Sequence, residues 1–389
     1  MIHLLLAIIY VAFISLGLPD ALLGAAWPSM YQGLGVAVSW AGIVSMIIAG
    51  GTIVSSLLSE RLIRALGTGR VTLFSVALTA AALFGFSGSH AFWQLCLWAV
   101  PYGLGAGSVD AALNNFVALH YRSRHMSWLH CFWGIGATAG PYVMGLCLTG
   151  GLGWNSGYRV IGLIQAALVV CLALSMPLWK RQGDARGPED AGQGGLGMRA
   201  VLRLPGARAV LTAFFCYCAL EATTGLWASS YLVLHKGVQA ETAAKWAGLF
   251  YLGITAGRFA CGFVTDRLGD RTMVRLGQGS ALAGTVLILL PAGAPVTLLG
   301  LLLVGLGCAP IFPSLLHETP DNFGPGNSQS LMGMQMACAY VGTTFMPSLF
   351  GVLAQQIGVR LLPLYLMALV ALMFLTAEQM NRIHARGAG

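Results

Sequence analysis

The sequence predicts an all-α membrane protein with twelve transmembrane helices, arranged as two pseudo-symmetric bundles of six. Of its 389 residues, 57% are hydrophobic and only 9% are charged, and the mean hydropathy is +0.76. A soluble domain carries about 25% charged residues. Because a helix needs roughly 20 apolar residues to cross a bilayer, a chain of this length has room for about a dozen spans joined by short loops.

Apolar runs separated by short polar or glycine-containing turns predict the individual spans. In the first half they cover residues 3–30, 38–60, 70–88, 91–118, 126–149 and 157–179. In the second half they cover residues 207–234, 241–265, 272–291, 295–316, 327–352 and 360–380. Between the halves, glycine, proline and charge replace the apolar runs, which is typical of a flexible linker. We therefore predict a first bundle over residues 1–179, a linker over 180–206 and a second bundle over 207–389.

Basic residues gather in alternate loops, and cytoplasmic loops hold an excess of Lys and Arg. One set of loops carries the basic linker together with Arg61, Arg64, Arg70, Arg122, Arg124, Arg267, Arg271, Arg275, Arg382 and Arg386. The opposite set carries only Arg159, Lys236, Lys245 and Arg360. We therefore predict cytoplasmic termini, a cytoplasmic linker and insertion into a bacterial inner (plasma) membrane. This bias accounts for the net charge of +8, so we expect a lipid bilayer and no nucleic acid as partner.

Three acidic residues, Asp20, Asp110 and Glu221, lie inside predicted spans. A carboxylate there costs at least roughly a few kcal/mol, so it usually serves a proton, a cation or a polar solute. A carboxyl group in a low-dielectric site also keeps its proton more readily than one in water. We predict proton coupling by these three residues. Asp20 follows Pro19, which cannot donate the helical hydrogen bond, and transporters place binding groups at interrupted helices. A permanently hydrogen-bonded, structural acid is the alternative.

Polar and aromatic side chains near the embedded acids are candidate contacts for a solute. Asn114 lies four residues after Asp110, on the same helix face, with Asn115 beside it. Amides can bind hydroxyl groups, although an interhelical network or a sodium site would use the same residues. Aromatic rings can stack on a sugar ring, or simply pack. The predicted contacts are Asn114, Asn115, Trp27, His130, Trp133, Trp227, Tyr231 and Gln335.

Shifting the sequence by about 200 residues brings the two halves into partial register, as in transporters built from internal repeats. The shift pairs Trp27 with Trp227, Asp20 with the residue before Glu221, and Gly105-x-Gly107 with Gly305-x-Gly307. It also suggests that Glu60-Arg61, after span 2, corresponds to Asp266-Arg267, after span 8.

The second of these loops contains Gly262-x-x-x-Asp266-Arg267-x-Gly269, and the first is a degenerate copy with Ser56 and Glu60. This pattern resembles the signature loop of the major facilitator superfamily, and the resemblance extends over nearly the whole chain. It implies the major facilitator fold and a conformational latch, an acid beside an arginine that holds helix ends in one of two states. The predicted latch residues are Glu60, Arg61, Asp266 and Arg267. A solvated loop charge is the alternative.

Spans 4, 5, 10 and 11 contain GLGAGSVDAALNNF, LHCFWGIGATAGP, GLGCAPIFPSLL and GMQMACAYVGTTFMP. These segments are similar to the fucose permease-like branch of the superfamily, whose members are mainly proton-coupled sugar symporters. The branch has functional carboxylates on helices 1 and 4, and the resemblance assigns these roles to Asp20 and Asp110. Span 4 has aspartate where fucose permease has glutamate, so the particular sugar is not implied.

We expect a monomeric secondary transporter that works by alternating access and takes up a sugar or similar small polyhydroxylated solute with a proton. The alternatives are a proton-coupled exporter of drugs or other lipophilic compounds and a sodium-coupled sugar symporter. No catalytic motif, ATP-binding glycine loop or metal-ligand spacing is found in the sequence, so we expect no enzyme activity, no cofactor and no metal.

Overall fold

The computed structural model describes residues 2–37, 40–181 and 198–387, which form helices and connecting turns without any β-strand. The helices are α1 (Ile2–Gly17), α2 (Leu22–Gly33), α3 (Ala41–Leu66), α4 (Thr68–Ser87), α5 (Phe92–His120), α6 (Ser123–Thr149), α7 (Gly153–Arg181), α8 (Met198–Val201), α9 (Ala207–Leu234), α10 (Ala240–Leu268), α11 (Asp270–Leu289), α12 (Ala294–His317), α13 (Thr319–Phe323), α14 (Pro325–Gln356) and α15 (Leu362–Gly387).

Eleven segments of the described chain are long and apolar enough to cross a membrane, with α1 and α2 together counting as one from Leu4 to Trp27. The helix α5 adds a twelfth of sufficient length, 29 residues. It carries Asp110, Asn114 and Asn115 within its apolar sequence. The predicted all-α, multi-pass membrane fold is therefore confirmed.

The first predicted span, residues 3–30, is interrupted in the structure. The helix α1 ends at Gly17 and α2 begins at Leu22. Between them the N–H of Asp20 donates to the carbonyl oxygen of Gly17 at 3.1 Å, and the N–H of Leu22 donates to that of Pro19 at 3.1 Å. Because Pro19 has no N–H, the regular hydrogen-bond ladder cannot continue through this point. The interruption places Asp20 in a tight turn within an apolar segment.

The chain divides into two compact units. The first contains the described residues up to Phe116 and those from Leu129 to the end of α7. The second contains Val117–Trp128 and all the described residues from α8 onward. Residues 182–197 of the predicted linker lie outside the described part of the chain, so the predicted domain boundaries at residues 180–206 remain a prediction.

Closely packed glycines show how the two units repeat. Gly103 and Gly105 bring α5 against α3 and α4, and Gly305 and Gly307 bring α12 against α10 and α11. A Cβ atom on any of these four glycines would lie within 2.7 Å of a neighbouring helix. Small residues permit such close approach between membrane helices. The predicted match of Gly105-x-Gly107 with the second pair is therefore displaced by two positions.

The helix ends give the same register. Gly67 ends α3 with φ 81° and ψ 157°, and Gly269 ends α10 with φ 77° and ψ 156°. Glycine is favoured at such positive φ values, so these two positions correspond. Asp266 then corresponds to Arg64, and the predicted match between Glu60 and Asp266 is wrong. The acid–arginine pairs look alike in sequence, but they lie at different distances from the ends of their helices.

Candidate functional site

The side chain of Asp20 is held by neutral donors from two other helices. The indole Nε1 of Trp133, on α6, donates to Asp20 Oδ2 at 2.9 Å. The hydroxyl of Tyr102, on α5, donates to Oδ1 at 3.3 Å. Asp20 is an exposed residue, and both oxygens of its carboxyl group are hydrogen-bonded. Asp20, predicted for proton coupling, and Trp133, a predicted solute contact, thus lie together in the first unit.

A buried amide supports the turn that carries Asp20. The hydroxyl of Ser15 donates to Gln165 Oε1 at 2.5 Å, and Gln165 Nε2 donates to the backbone carbonyl of Ser15 at 2.6 Å. This is the carbonyl that lacks a helical donor because the fourth residue after it is Pro19. Gln165 is not among the site residues predicted from the sequence. The available signal was a single amide within the apolar span 157–179.

The helices α1 and α6 lie in direct backbone contact. A Cβ atom on Gly136 would lie 2.0 Å from the carbonyl oxygen of Ile14, and one on Gly140 would lie 1.9 Å from that of Leu18. A Cβ atom on Gly17 would lie 2.2 Å from the carbonyl oxygen of Trp133. Little relative displacement is available where the backbones touch. The α1–α2 turn and the polar face of α6 are therefore mechanically linked.

A second network joins Asp110 to α6. The amide Nδ2 of Asn114 donates to Asp110 Oδ1 at 2.8 Å and to the Asp110 carbonyl at 2.9 Å. Asn114 Oδ1 lies 3.0 Å from His130 Nε2. Since an amide oxygen only accepts, His130 carries the proton on Nε2 in this arrangement. Asp110, Asn114 and His130 are 8%, 0% and 5% exposed, so this is a buried interhelical network.

This geometry bears on the predicted role of Asn114. Both ends of its amide bond to other protein groups, so a solute could reach Asn114 only after the network rearranges. Asn115 is buried as well, at 2% exposure. The sequence left open whether Asn114 contacts a solute or belongs to an interhelical network, and the structure contains such a network. Direct contact between Asn114 and a solute stays a prediction.

The predicted aromatic contacts lie mainly in packed surroundings. Trp27 belongs to a buried cluster of the first unit and packs against Phe92, with ring centroids 6.4 Å apart. Tyr231 is 2% exposed and donates to the carbonyl of Ile288 at 3.0 Å. Trp227 is half-buried and donates to the carbonyl of Pro347 at 3.0 Å. Of these three rings, Trp227 is the most accessible.

Gln335, the predicted contact on α14, is fully buried. Its Oε1 accepts a hydrogen bond from the hydroxyl of Thr319 at 3.2 Å. This bond fixes the start of α13 to α14. Contact between Gln335 and a solute stays a prediction.

Glu221 is surrounded differently from the two aspartates. The hydroxyl of Tyr217, one helical turn earlier on α9, donates to Glu221 Oε2. The guanidinium Nη2 of Arg258, on α10, donates to the Tyr217 hydroxyl at 3.2 Å and lies 3.6 Å from Glu221 Oε2. Arg258 is 4% exposed. Glu221 therefore belongs to a buried acid–tyrosine–arginine cluster within the second unit.

Arg258 is not among the site residues predicted from the sequence. The signal was present, because a single arginine within an apolar run is as exceptional as a single acid. The other basic residues indicate the orientation of the loops, whereas Arg258 lies inside the predicted span 241–265.

The four predicted latch residues have separate environments. Glu60 pairs with Arg64 on its own helix at 2.9 Å, while Arg61 and Arg267 are exposed. Asp266 Oδ1 accepts a hydrogen bond from the backbone N–H of Arg124 at 3.2 Å, and its Oδ2 lies 3.5 Å from Arg124 Nε. Arg122 Nη1 lies 3.9 Å from the same oxygen.

Asp266 is thus in contact with a distant part of the chain, the α5–α6 turn. From the sequence, the two arginines of that turn predict only the orientation of the loop. Among the described residues, no three or more His, Cys, Asp and Glu side chains come together as a metal site would require.

Comparison with known families identifies the fold. A family model described as the Major Facilitator Superfamily matches residues 9–325 and 237–379. The chain belongs to the Major Facilitator Superfamily. It is therefore a membrane transporter, since that family and fold comprise transporters and not enzymes.

The chain is also similar to three curated proteins over most of its length. It is 23% identical to Bypass of stop codon protein 6 of Saccharomyces cerevisiae, covering 93% of this chain and 79% of that protein. It is 25% identical to the uncharacterized transporter y4wD of Sinorhizobium fredii, covering 86% and 87%. It is 24% identical to membrane protein MosC of Rhizobium meliloti, covering 84% and 78%.

Solved structures confirm the resemblance to FucP at the level of the fold. The transporter FucP matches with a TM-score of 0.79 at 18% identity, covering 96% of this chain and 98% of that chain. The human organic anion transporter MFSD10 has the same TM-score at 16% identity and the same coverage. The proton:xylose symporter XylE matches with a TM-score of 0.76 at 11% identity, covering 97% and 94%.

Proposed function

We propose that this transporter takes up a sugar or a similar small polyhydroxylated solute together with a proton, by alternating access. Two of the structural neighbours are described as proton symporters of fucose and xylose, which supports this class of cargo. We further propose that the protein acts as a monomer in a bacterial inner membrane with both termini in the cytoplasm, as the distribution of basic residues suggests.

The observation that carries the proposal is that Asp20 and Asp110 are hydrogen-bonded by neutral donors. An indole and a phenol bind Asp20, and an amide binds Asp110. Such a carboxyl group can gain a proton without leaving a buried cation uncompensated.

The helix α6 contacts both carboxyl sites. Trp133 bonds Asp20 directly, and His130 reaches Asp110 through Asn114. Protonation of either aspartate removes an acceptor from a network that includes α6, whose backbone touches α1. We propose that this linkage converts proton binding into the conformational step, with Asp110, Asn114 and His130 rearranging when solute binds.

The test is solute uptake by the purified protein in proteoliposomes with an imposed pH gradient. L-Fucose and D-xylose are the first probes, and we expect accumulation above the external concentration for a transported sugar. Asp20→Asn and Asp110→Asn should abolish this accumulation but retain exchange of solute between the two sides. Asp321→Asn, at an exposed position of α13, is the control and should accumulate normally.

The same assay separates the alternatives. Accumulation that requires sodium instead of a pH gradient would favour the sodium-coupled symporter. Proton-driven release of lipophilic compounds, without sugar uptake, would favour the exporter. Unchanged accumulation in both aspartate variants would contradict proton coupling by Asp20 and Asp110.

A further inference from the structure

The cluster of Glu221, Tyr217 and Arg258 has no part in the proton-coupling scheme built on the two aspartates. It lies within the second unit, on helices α9 and α10, and inside membrane-spanning segments. Arginine stays protonated in proteins, so Arg258 brings a permanent positive charge into an apolar environment. A charge in such a place usually marks a pathway for a solute or an ion.

We propose that Arg258 binds the carboxylate of an acidic sugar derivative, an aldonate or a uronate, when a proton neutralises Glu221. This inference rests on the proposed function, because it assumes proton-coupled uptake of a polyhydroxylated solute. It narrows the substrate class from sugars in general to sugar acids.

The geometry of the Arg258–Glu221 pair favours replacement of the Glu221 carboxylate by the carboxylate of a solute. The shortest distance between the side chains of Arg258 and Glu221 is 3.6 Å, from Nη2 to Oε2. The same chain also contains a two-pronged pair, in which Arg275 Nε lies 2.6 Å from Glu378 Oε1 and Arg275 Nη2 lies 2.9 Å from Glu378 Oε2. Bidentate pairs of this kind are the strong ones. The buried pair Arg258–Glu221 therefore has the longer N–O distance of the two, although a short contact would be more stabilising in its low-dielectric surroundings.

Access differs between the two partners. The side chain of Glu221 is 20% exposed and that of Arg258 is 5% exposed. An incoming group therefore meets Glu221 first, and it reaches the guanidinium only if Glu221 moves aside. The Tyr217 hydroxyl contacts both partners and can stay bonded to Arg258 during the exchange. The titratable groups facing Glu221 are Tyr217 on α9, Arg258 and Tyr251 on α10, and Cys308 on α12.

Charge balance selects the class of solute. Before the solute binds, the negative charge of Glu221 compensates the positive charge of Arg258. If Glu221 takes up a proton while a neutral sugar binds, Arg258 remains a buried, uncompensated cation, which is strongly unfavourable. If a carboxylate binds with the proton, the local charge is unchanged and no covalent bond other than the Glu221 O–H forms. A phosphate monoester carries about −1.5 to −2 charges near neutral pH and would leave an excess of negative charge beside Arg258.

The experiment measures binding of matched pairs of probes to the purified full-length protein between pH 5.5 and pH 8.5. The pairs are D-glucose with D-gluconate and D-galactose with D-galacturonate. We expect the acids to bind and their Kd to rise about tenfold per pH unit across this range, because one proton is bound with each anion.

Two variants separate exchange from a purely structural pair. Glu221→Gln imitates the protonated glutamate, so it should bind the acids about tenfold or more tightly at pH 8.5 and lose the pH dependence. Glu221→Gln/Arg258→Gln removes both charges, avoids an unpaired buried charge and should lose acid binding. The matched control, Arg275→Gln/Glu378→Gln, removes the bidentate pair and should bind the acids as the unchanged protein does.

The outcomes distinguish this inference from the proposed function. Binding and proton-driven uptake of neutral sugars, with acids excluded, overturn the inference and leave the proposed function intact. Acid binding that is unaffected in the double variant also overturns it, since Arg258 would then have no part. Failure of both classes of probe to bind or accumulate contradicts the inference together with the function on which it rests.

Discussion

Glu318 makes the stability of this protein depend on pH in a specific way. It lies between α12 and α13, outside the membrane-spanning segments, and is 7% exposed. Its Oε2 accepts a hydrogen bond from Asn322 Nδ2 at 3.1 Å, while Oε1 is buried without a hydrogen-bond partner among the described residues. Burial and the negative charge of Asp270 raise the pKa of the Glu318 carboxyl from 4.5 to about 7, against smaller opposing effects of Asn322, Arg271 and His317.

The magnitude follows from that pKa. The folded protein holds the Glu318 proton more tightly than the unfolded chain does, so this group stabilises the fold fully below pH 4.5. The contribution is lost as the pH rises through about 7, and the total is about 3 kcal/mol. Glu318→Gln keeps an acceptor for Asn322 and removes the ionisation. We therefore expect it to raise the stability at pH 8.5 relative to the unchanged protein, by a few degrees in Tm.

The measurement is Tm by scanning fluorimetry of the detergent-purified protein between pH 5 and pH 8.5. The quantity compared is the fall in Tm over this range, because other groups titrate in both proteins. Glu318→Gln should show the smaller fall. Asp321→Asn removes an acid at an exposed position three residues away and should keep the original fall. An unchanged fall in Glu318→Gln, or a lower Tm for it at pH 8.5, would refute the reasoning.

Three further predictions concern packing and helix ends. Gly140→Ala places a methyl group 1.9 Å from the backbone carbonyl of Leu18, in the α1–α2 turn, and should abolish uptake and lower Tm. Gly145→Ala, with open space around it, should do neither. Gln165→Leu leaves a buried carbonyl unpaired, so we expect it to lose about 1–3 kcal/mol in thermal unfolding; equal stability would contradict its supporting role. Asp266→Asn should change Tm little, because exposed ion pairs contribute about 0–1 kcal/mol, but should alter the uptake rate; an unchanged rate would remove Asp266 from the latch.

The sequence is most informative where a property is local. Hydropathy runs placed most span ends within a few residues of the observed helix ends, and Pro19 indicated the weak point at which the first span is interrupted. The embedded acids were equally visible, because a single charge in an apolar run needs no partner to be noticed. The same rule would have found Arg258 and Gln165 if it had been applied to every polar residue within a span.

Contacts between residues that are distant along the chain could not be predicted from the sequence. The bonds from Trp133 to Asp20 and from Gln165 to Ser15 join helices that are far apart along the chain. The predicted alignment of the two halves was also wrong, because Glu60-Arg61 and Asp266-Arg267 are both an acid followed by an arginine and so look equivalent in the sequence. The positions of the cap glycines, Gly67 and Gly269, show that they are not.

By itself, the sequence determined that this chain is a multi-pass helical membrane protein with carboxyl groups inside its spans. Burial of apolar residues in lipid is a property of each segment, so it can be read residue by residue. Only the tertiary structure decided what each carboxyl group touches: neutral donors at Asp20 and Asp110, and an arginine at Glu221. The physical reason is that protonation depends on neighbouring charges and hydrogen bonds, and packing brings these neighbours from other helices.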